Sequence, residues 1–257
     1  MSPHPTASEQ LRHAVAKGWL VHCFTGLGAL CGMFGLISVA DYDFRGAIIW
    51  LVVATVLDGL DGTAARAWNV AENVPRIDGY ALDLIIDYVT CIVIPVLFMH
   101  RFHMLPDGWS LAIGSFVLFI SALWMSRTDQ MTEDDCFNGF PCEWNILVPT
   151  LFLAKVGPWV TAVVCVALAV TQLTNWTFLH PVRVRRFRWI TIPVVSVWLL
   201  TIILMTVDLP THNVVGRIVV VVAAFYVFGM GTWRSISGSW LPADVEARRA
   251  AIASRAA

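Results

Sequence analysis

Charge is what this sequence has least of. Only 14% of its 257 residues are Asp, Glu, Lys or Arg, against about 25% in an ordinary soluble domain. Neither sign dominates: 17 Lys and Arg face 18 Asp and Glu, a net charge of -1. A chain without a basic field does not recruit a polyanion, which excludes a nucleic-acid binder. Cysteine is also uninformative. Cys23, Cys31, Cys91 and Cys165 stand in apolar runs as small hydrophobes. Cys136 and Cys142 share a loop with C-x5-C spacing, neither a zinc pair nor a thioredoxin motif, and are expected to be unpaired. Internal repeats, low-complexity tracts and long linkers are missing, so one membrane domain over 1–257 is expected, with short tails at 1–18 and 235–257. The opening MSPHPTASEQLRHAVAKG is polar for too long to be a cleaved secretory signal, so the first apolar stretch is expected to be retained.

What the sequence does have is apolar mass. Hydrophobic residues make up 58% and the mean hydropathy is +0.70. A soluble surface cannot carry so much, which rules out a cytoplasmic domain or a disordered chain. The expected fold is an all-α polytopic membrane bundle.

Crossing about 30 Å of hydrocarbon takes about 20 mostly apolar residues. Seven stretches qualify: 19–40, 45–67, 79–100, 109–127, 157–174, 189–207 and 213–233. An eighth, 144–155, is short and stops at Lys155-Val156-Gly157-Pro158. Charge placement decides for it. With eight spans both termini share a side that carries 13 basic residues (Arg12, Lys17, Arg66, Arg76, Arg127, Arg183, Arg185, Arg186, Arg188, Arg234, Arg248, Arg249 and Arg255). The other side keeps Arg45, Arg101, Lys155 and Arg217. By the positive-inside rule the richer side, with both termini, is cytoplasmic.

Against this background the carboxylates stand out. Of 13 Asp, five fall between 58 and 87. A charge at membrane depth costs at least about 2.5 kcal/mol and normally serves a polar cavity. Asp58 and Asp61 are spaced i,i+3, and Asp83 and Asp87 i,i+4, so each pair shares a helix face. Two antiparallel spans bring four negative charges together, which requires compensation. Protons would do this in a transporter. Hard divalent cations would do it in a phosphoryl-transfer enzyme, where two ions stabilise entering and leaving oxygens. Gly62 and Ala65, both small, Arg66, a fork suited to phosphate, and Gly79 favour the second.

Asp58-x-x-Asp61-Gly62-x-x-Ala65-Arg66, followed by Gly79-x-x-x-Asp83-x-x-x-Asp87, resembles the signature of the CDP-alcohol phosphotransferases. These membrane enzymes move a phosphatidyl or phospho-alcohol group from a CDP-activated donor to a hydroxyl. The twelve residues between Arg66 and Gly79 exceed the usual family spacing and resemble a bacterial branch whose acceptor is choline. FNGFPCEWN at 137–145 and FLHPVRVRRFR at 178–188 extend the likeness. The resemblance implies an inner-membrane enzyme, its active site cytoplasmic, condensing CDP-diacylglycerol with choline to phosphatidylcholine and CMP. It further implies a homodimer among lipids and two divalent ions, Mn²⁺ or Mg²⁺, held by Asp58, Asp61, Asp83 and Asp87. Asp87 would also be the general base. Asp58, Gly62, Ala65, Arg66 and Gly79 would receive the CDP moiety and its phosphates.

The acceptor is read from charge. A quaternary ammonium favours aromatic faces and carboxylates. The loop holding Asp129, Glu133, Asp134, Asp135, Phe137, Phe140, Glu143 and Trp144 is acidic and aromatic. It is either that site, with Glu133, Asp134, Asp135 and Trp144 as candidates, or a solvated loop with interfacial aromatics. Tyr80 and Tyr88 are alternative contributors. Arg183 and Arg185 either reach a donor phosphate or, with Arg186 and Arg188, attract anionic headgroups. A related enzyme using another acceptor, such as serine, and a cation or proton transporter remain the alternatives.

Overall fold

A computed structural model describes residues 6–208 and 213–240. Among these, helices lie where hydropathy places them. They are α1 (Ala7–Ala40), α2 (Phe44–Ala67), a single turn α3 (Val70–Asn73), α4 (Gly79–Asp87), α5 (Ile94–Arg101), α6 (Ser110–Met125), α7 (Trp144–Leu153), α8 (Pro158–Thr171), α9 (Arg188–Val207) and α10 (Val214–Ser237). A π-helical segment, Tyr88–Val93, joins α4 to α5 into one rod. Five rods are long and apolar enough to cross a membrane: α1, α2, the α4–α5 rod, α9 and α10. The helices α6, α7 and α8 are apolar but shorter, at 16, 10 and 14 residues.

Much of the tail expected over 1–18 is helical. Thr6 and Glu9 form a capping box, Glu9 N–H donating to Thr6 Oγ1 at 3.4 Å and Thr6 N–H to Glu9 Oε2 at 2.7 Å. Satisfying two orphan amides at once starts the helix at Ala7. At the other end α10 runs through Ser237, while 241–257, with Arg248, Arg249 and Arg255, lie outside the described residues.

Two features position the site. The first is a run of glycines on α1. A Cβ on Gly28 would stand 2.8 Å from Ile86 Cγ2, and one on Gly32 would stand 3.3 Å from Val89 Cγ1. Small residues let backbones approach, so the acidic rod lies directly against α1. The second is a two-residue antiparallel pairing, β1 (Phe137–Asn138) with β2 (Thr177–Phe178). It ties the 126–143 loop to the 172–187 loop. Arg127 reinforces the tie by donating to the Gln172 and Thr174 carbonyls at 2.7 and 3.0 Å. The long spacer after Arg66 is structural: Val70 and Val74 on and beside α3 are buried, and a Cβ on Gly18 of α1 would collide with Val74.

The apolar core lies between α2, the α5 end of the acidic rod, and α6 to α10. Its aromatic cluster, Phe44, Phe98, Phe102 and Phe152, sits at the far end from the acidic residues. All six cysteines are free, Cys136 and Cys142 among them.

Candidate active site

The acidic helices are built to face one another. Asp78 caps α4, its carboxylate accepting from Tyr80 N–H at 3.0 Å and Ala81 N–H at 3.1 Å. The i,i+4 step then sets Asp83 and Asp87 on one face. Across from them, Asp58 projects from α2. Asp58, Asp83 and Asp87 offer carboxylate oxygens that all lie within 4.8 Å of one another. Asp61 is placed differently. It is buried in a crevice toward α1, beside Thr25 and Gly28, which Asp58, Asp83 and Asp87 also line.

The three converging carboxylates open into a cavity of about 790 Å³. Its wall on the α2 side carries Thr55, Asp58, Gly62 and Arg66. The loops tied by β1 and β2 supply Gln130, Phe137, His180 and Arg183. Tyr80 hydroxyl donates to Gln130 Oε1 at 2.8 Å and so links the α4 start to the loop above it. Segments about a hundred residues apart in sequence thus meet over the carboxylates.

Two guanidiniums define the phosphate-binding capacity of the space. Arg66 folds back over Gly62, where a Cβ would stand 3.2 Å from Arg66 Nη1. Arg183 lines the same cavity, close enough to Arg66 for each to feel the other's charge, and its Nε is buried without a partner. His180 shapes the turn that presents Arg183. Its Nδ1 accepts from the Val182 and Arg183 amides at 3.2 and 3.4 Å, and its ring stacks on Phe137 at 4.9 Å. Burial, then the charges of Arg183 and Arg66, lower its pKa to about 3, so the imidazole stays neutral.

The chain is 35% identical over 220 residues to the phosphatidylcholine synthase of Pseudomonas aeruginosa, covering 86% of this chain and 92% of that protein. To the phosphatidylcholine synthase of Rhizobium meliloti it is 30% identical over 222 residues, 85% and 91% of the two chains. To that of Borreliella burgdorferi it is 34% identical over 176 residues, 68% and 75%. No family model matches the chain. This chain belongs to the phosphatidylcholine synthase family.

The other sequence candidates fall into distinct places. Tyr80 and Arg183 line the cavity. Ala65 and Gly79 do not: Ala65 is half-buried on α2, and Gly79 lets α4 begin against His22, whose Cε1 lies 3.1 Å from where a Cβ would stand. Tyr88 packs on the apolar core. Trp144 is fully buried, its indole N–H donating to Ser121 Oγ at 3.0 Å. Glu133, Asp135 and Arg185 are exposed and do not line the cavity. Glu143 and Asn145, which the sequence does not single out, line it.

Asp134 is a clamp. Its buried carboxylate accepts from Arg234 Nε at 2.8 Å, Arg234 Nη2 at 2.9 Å, the Trp240 amide at 2.9 Å and Thr132 Oγ1 at 2.7 Å. This fastens the 126–143 loop to the end of α10. Burial alone would raise the acid's pKa, but these donors, Arg234 first, hold it at about 2. A depressed carboxylate contributes stability above its unfolded pKa of about 3.9 and loses it as pH falls through the folded value; the shift is worth about 2 kcal/mol. Asp134→Ala, which also strands Arg234, is expected to cost about 3 kcal/mol. Thermal unfolding in detergent checks this: the gap to the wild type should be full at pH 7 and shrink below pH 4. Equal melting temperatures at pH 7 would rule the clamp out.

Proposed function

We propose that this chain transfers the phosphatidyl group of CDP-diacylglycerol to the hydroxyl of choline, releasing CMP. One observation carries the reading beyond the family assignment: three carboxylates converge at the bottom of a cavity that also holds two arginines. The donor set suits hard divalent cations, Mn²⁺ or Mg²⁺, since it is all carboxylate oxygen. Asp58, Asp83 and Asp87 would hold them, with Asp61 behind. Bound there, the ions would draw charge from the donor pyrophosphate.

The chain's own residues do the rest. Arg66 and Arg183 hold the donor phosphates, Arg66 lying where Gly62 leaves room for it. Asp87 takes the proton of the acceptor hydroxyl, sharpening it as a nucleophile toward the phosphorus bearing the diacylglycerol. The P–O bond to CMP breaks as the choline ester forms. The cavity mouth shares its end with Arg66, Arg127, Arg183 and Arg234, which supports a cytoplasmic active site in a bacterial inner membrane. A homodimer belongs to the same reading.

The test is purified protein with CDP-diacylglycerol, Mn²⁺ and labelled choline. CMP release that requires choline, and that serine does not replace, is the expected result. Cation flux across vesicles with no CMP release would replace this reading with a transporter.

A further inference from the structure

The acidic loop is the expected meeting place for choline, yet Asp134 is consumed by Arg234 and Trp144 by the core. A different acid of that segment faces the cavity. Glu143 sits at the start of α7, but its side chain caps nothing there. Among the described residues no hydrogen bond or ion pair engages its carboxylate. It lies near enough to Asp58 and Cys91 for its charge to be felt at both, yet stands outside the group whose oxygens converge for a metal.

The second observation is independent. Asn145 is only 3% exposed and lines the same cavity, and its Oδ1 is buried with no partner. The orientation of its amide is settled by its neighbour. Thr55 Oγ1 already donates to the Leu51 carbonyl at 2.9 Å, so toward Asn145 it can only accept, and Asn145 Nδ2 donates to it at 2.8 Å. That leaves the carbonyl oxygen, buried and unpaired, behind the cavity wall. A carboxylate and an orphan carbonyl offer negative potential and no N–H. A buried acceptor without a partner is costly, so the pair calls for a cationic occupant. Pro141 and Ile146, also on this wall, give it apolar contact.

We propose that Glu143 and Asn145 form the subsite for the positively charged head of the acceptor, a quaternary ammonium, beside the Asp87 that receives its hydroxyl proton. This rests on the function proposed above and names the part of the site that selects the acceptor. The ammonium of choline lies two carbons from its hydroxyl, so the subsite must border the carboxylates, as Glu143 does. A carboxylate on the acceptor, as in serine, would face Glu143 and be repelled.

The experiment compares choline with 3,3-dimethylbutan-1-ol, its uncharged carbon isostere, as acceptor for the full-length enzyme. Wild type should prefer choline strongly. Glu143→Gln should lower the ratio of kcat/KM for the two acceptors at least about tenfold, through the choline KM, because a buried charge has lost its partner. The KM for CDP-diacylglycerol should stay within about twofold. A merely structural role would lower both acceptors together. If Glu143→Gln keeps the wild-type ratio, the proposal is overturned. Should that variant not fold, Glu143→Asp, which keeps the charge but withdraws it, should raise the choline KM several-fold; an unchanged value overturns the proposal. A wild type that releases no CMP with choline defeats the underlying function instead, and shows it before any variant is made.

Discussion

Asp87→Asn should abolish phosphatidyl transfer while CDP-diacylglycerol still binds. The substitution keeps shape and a hydrogen-bonding oxygen for Cys91, whose Sγ lies 3.8 Å from Asp87 Oδ1, and removes the charge and the capacity to take a proton. Removing a positioned general base costs about 10²–10⁴-fold, and a lost metal ligand would add to it. The loss should fall on kcat, and saturating Mn²⁺ should not restore it. Asp58, Asp83 and Asp87 all line both the main cavity and the crevice behind it, so it is the signature's order, with Asp87 as its last acid, that makes Asp87 the proposed base. CMP release gives the rate, and thermal protection by CDP-diacylglycerol gives the binding. Full activity in Asp87→Asn would end the base assignment; lost protection would make the residue a binding group.

The second large effect concerns the metal. Chelation should reduce turnover by more than about 10³-fold, the scale of electrostatic stabilisation in enzyme sites, and Mn²⁺ or Mg²⁺ should restore it. Asp83→Asn takes one negative charge from a trio within 4.8 Å and should raise the Mn²⁺ concentration for half-occupancy at least about tenfold. Electron paramagnetic resonance of free Mn²⁺ reads this without turnover. Retained Mn²⁺ binding in Asp58→Asn, Asp83→Asn and Asp87→Asn alike would place the ions elsewhere.

The parts of the fold legible in the sequence are those decided locally. Apolar length marks the helices, including the ten residues of α7. The carboxylate spacing marks the acidic faces. Its limit shows at Asp61: on a helix turning about 100° per residue, an i,i+3 step leaves two side chains about 60° apart. That is enough for Asp58 to open into the cavity while Asp61 turns toward α1. The start of α1 is also legible, since Thr6-x-x-Glu9 carries the capping-box spacing within a run whose polarity marks a tail.

What escapes is long-range pairing. Nothing near Asp134 announces Arg234, 100 residues away. Glu143 and Trp144 are neighbours in an acidic, aromatic stretch, and composition gives no reason to prefer either. Only the docking of α7 sends Trp144 to Ser121 and Glu143 to the cavity.

The π-helical stretch Tyr88–Val93 has a consequence for how this enzyme can vary. A wide turn holds one residue more than an α-turn, a shift of about 100° in helical phase. Below it, Asp83 and Asp87 keep the phase that chemistry demands. Above it, Ile94, Phe98 and Met99 keep the phase that the buried core demands. Like a slip joint in a drive shaft, the wide turn lets the two ends of one rod answer to separate partners, so the α5 half can be repacked without rotating the acids.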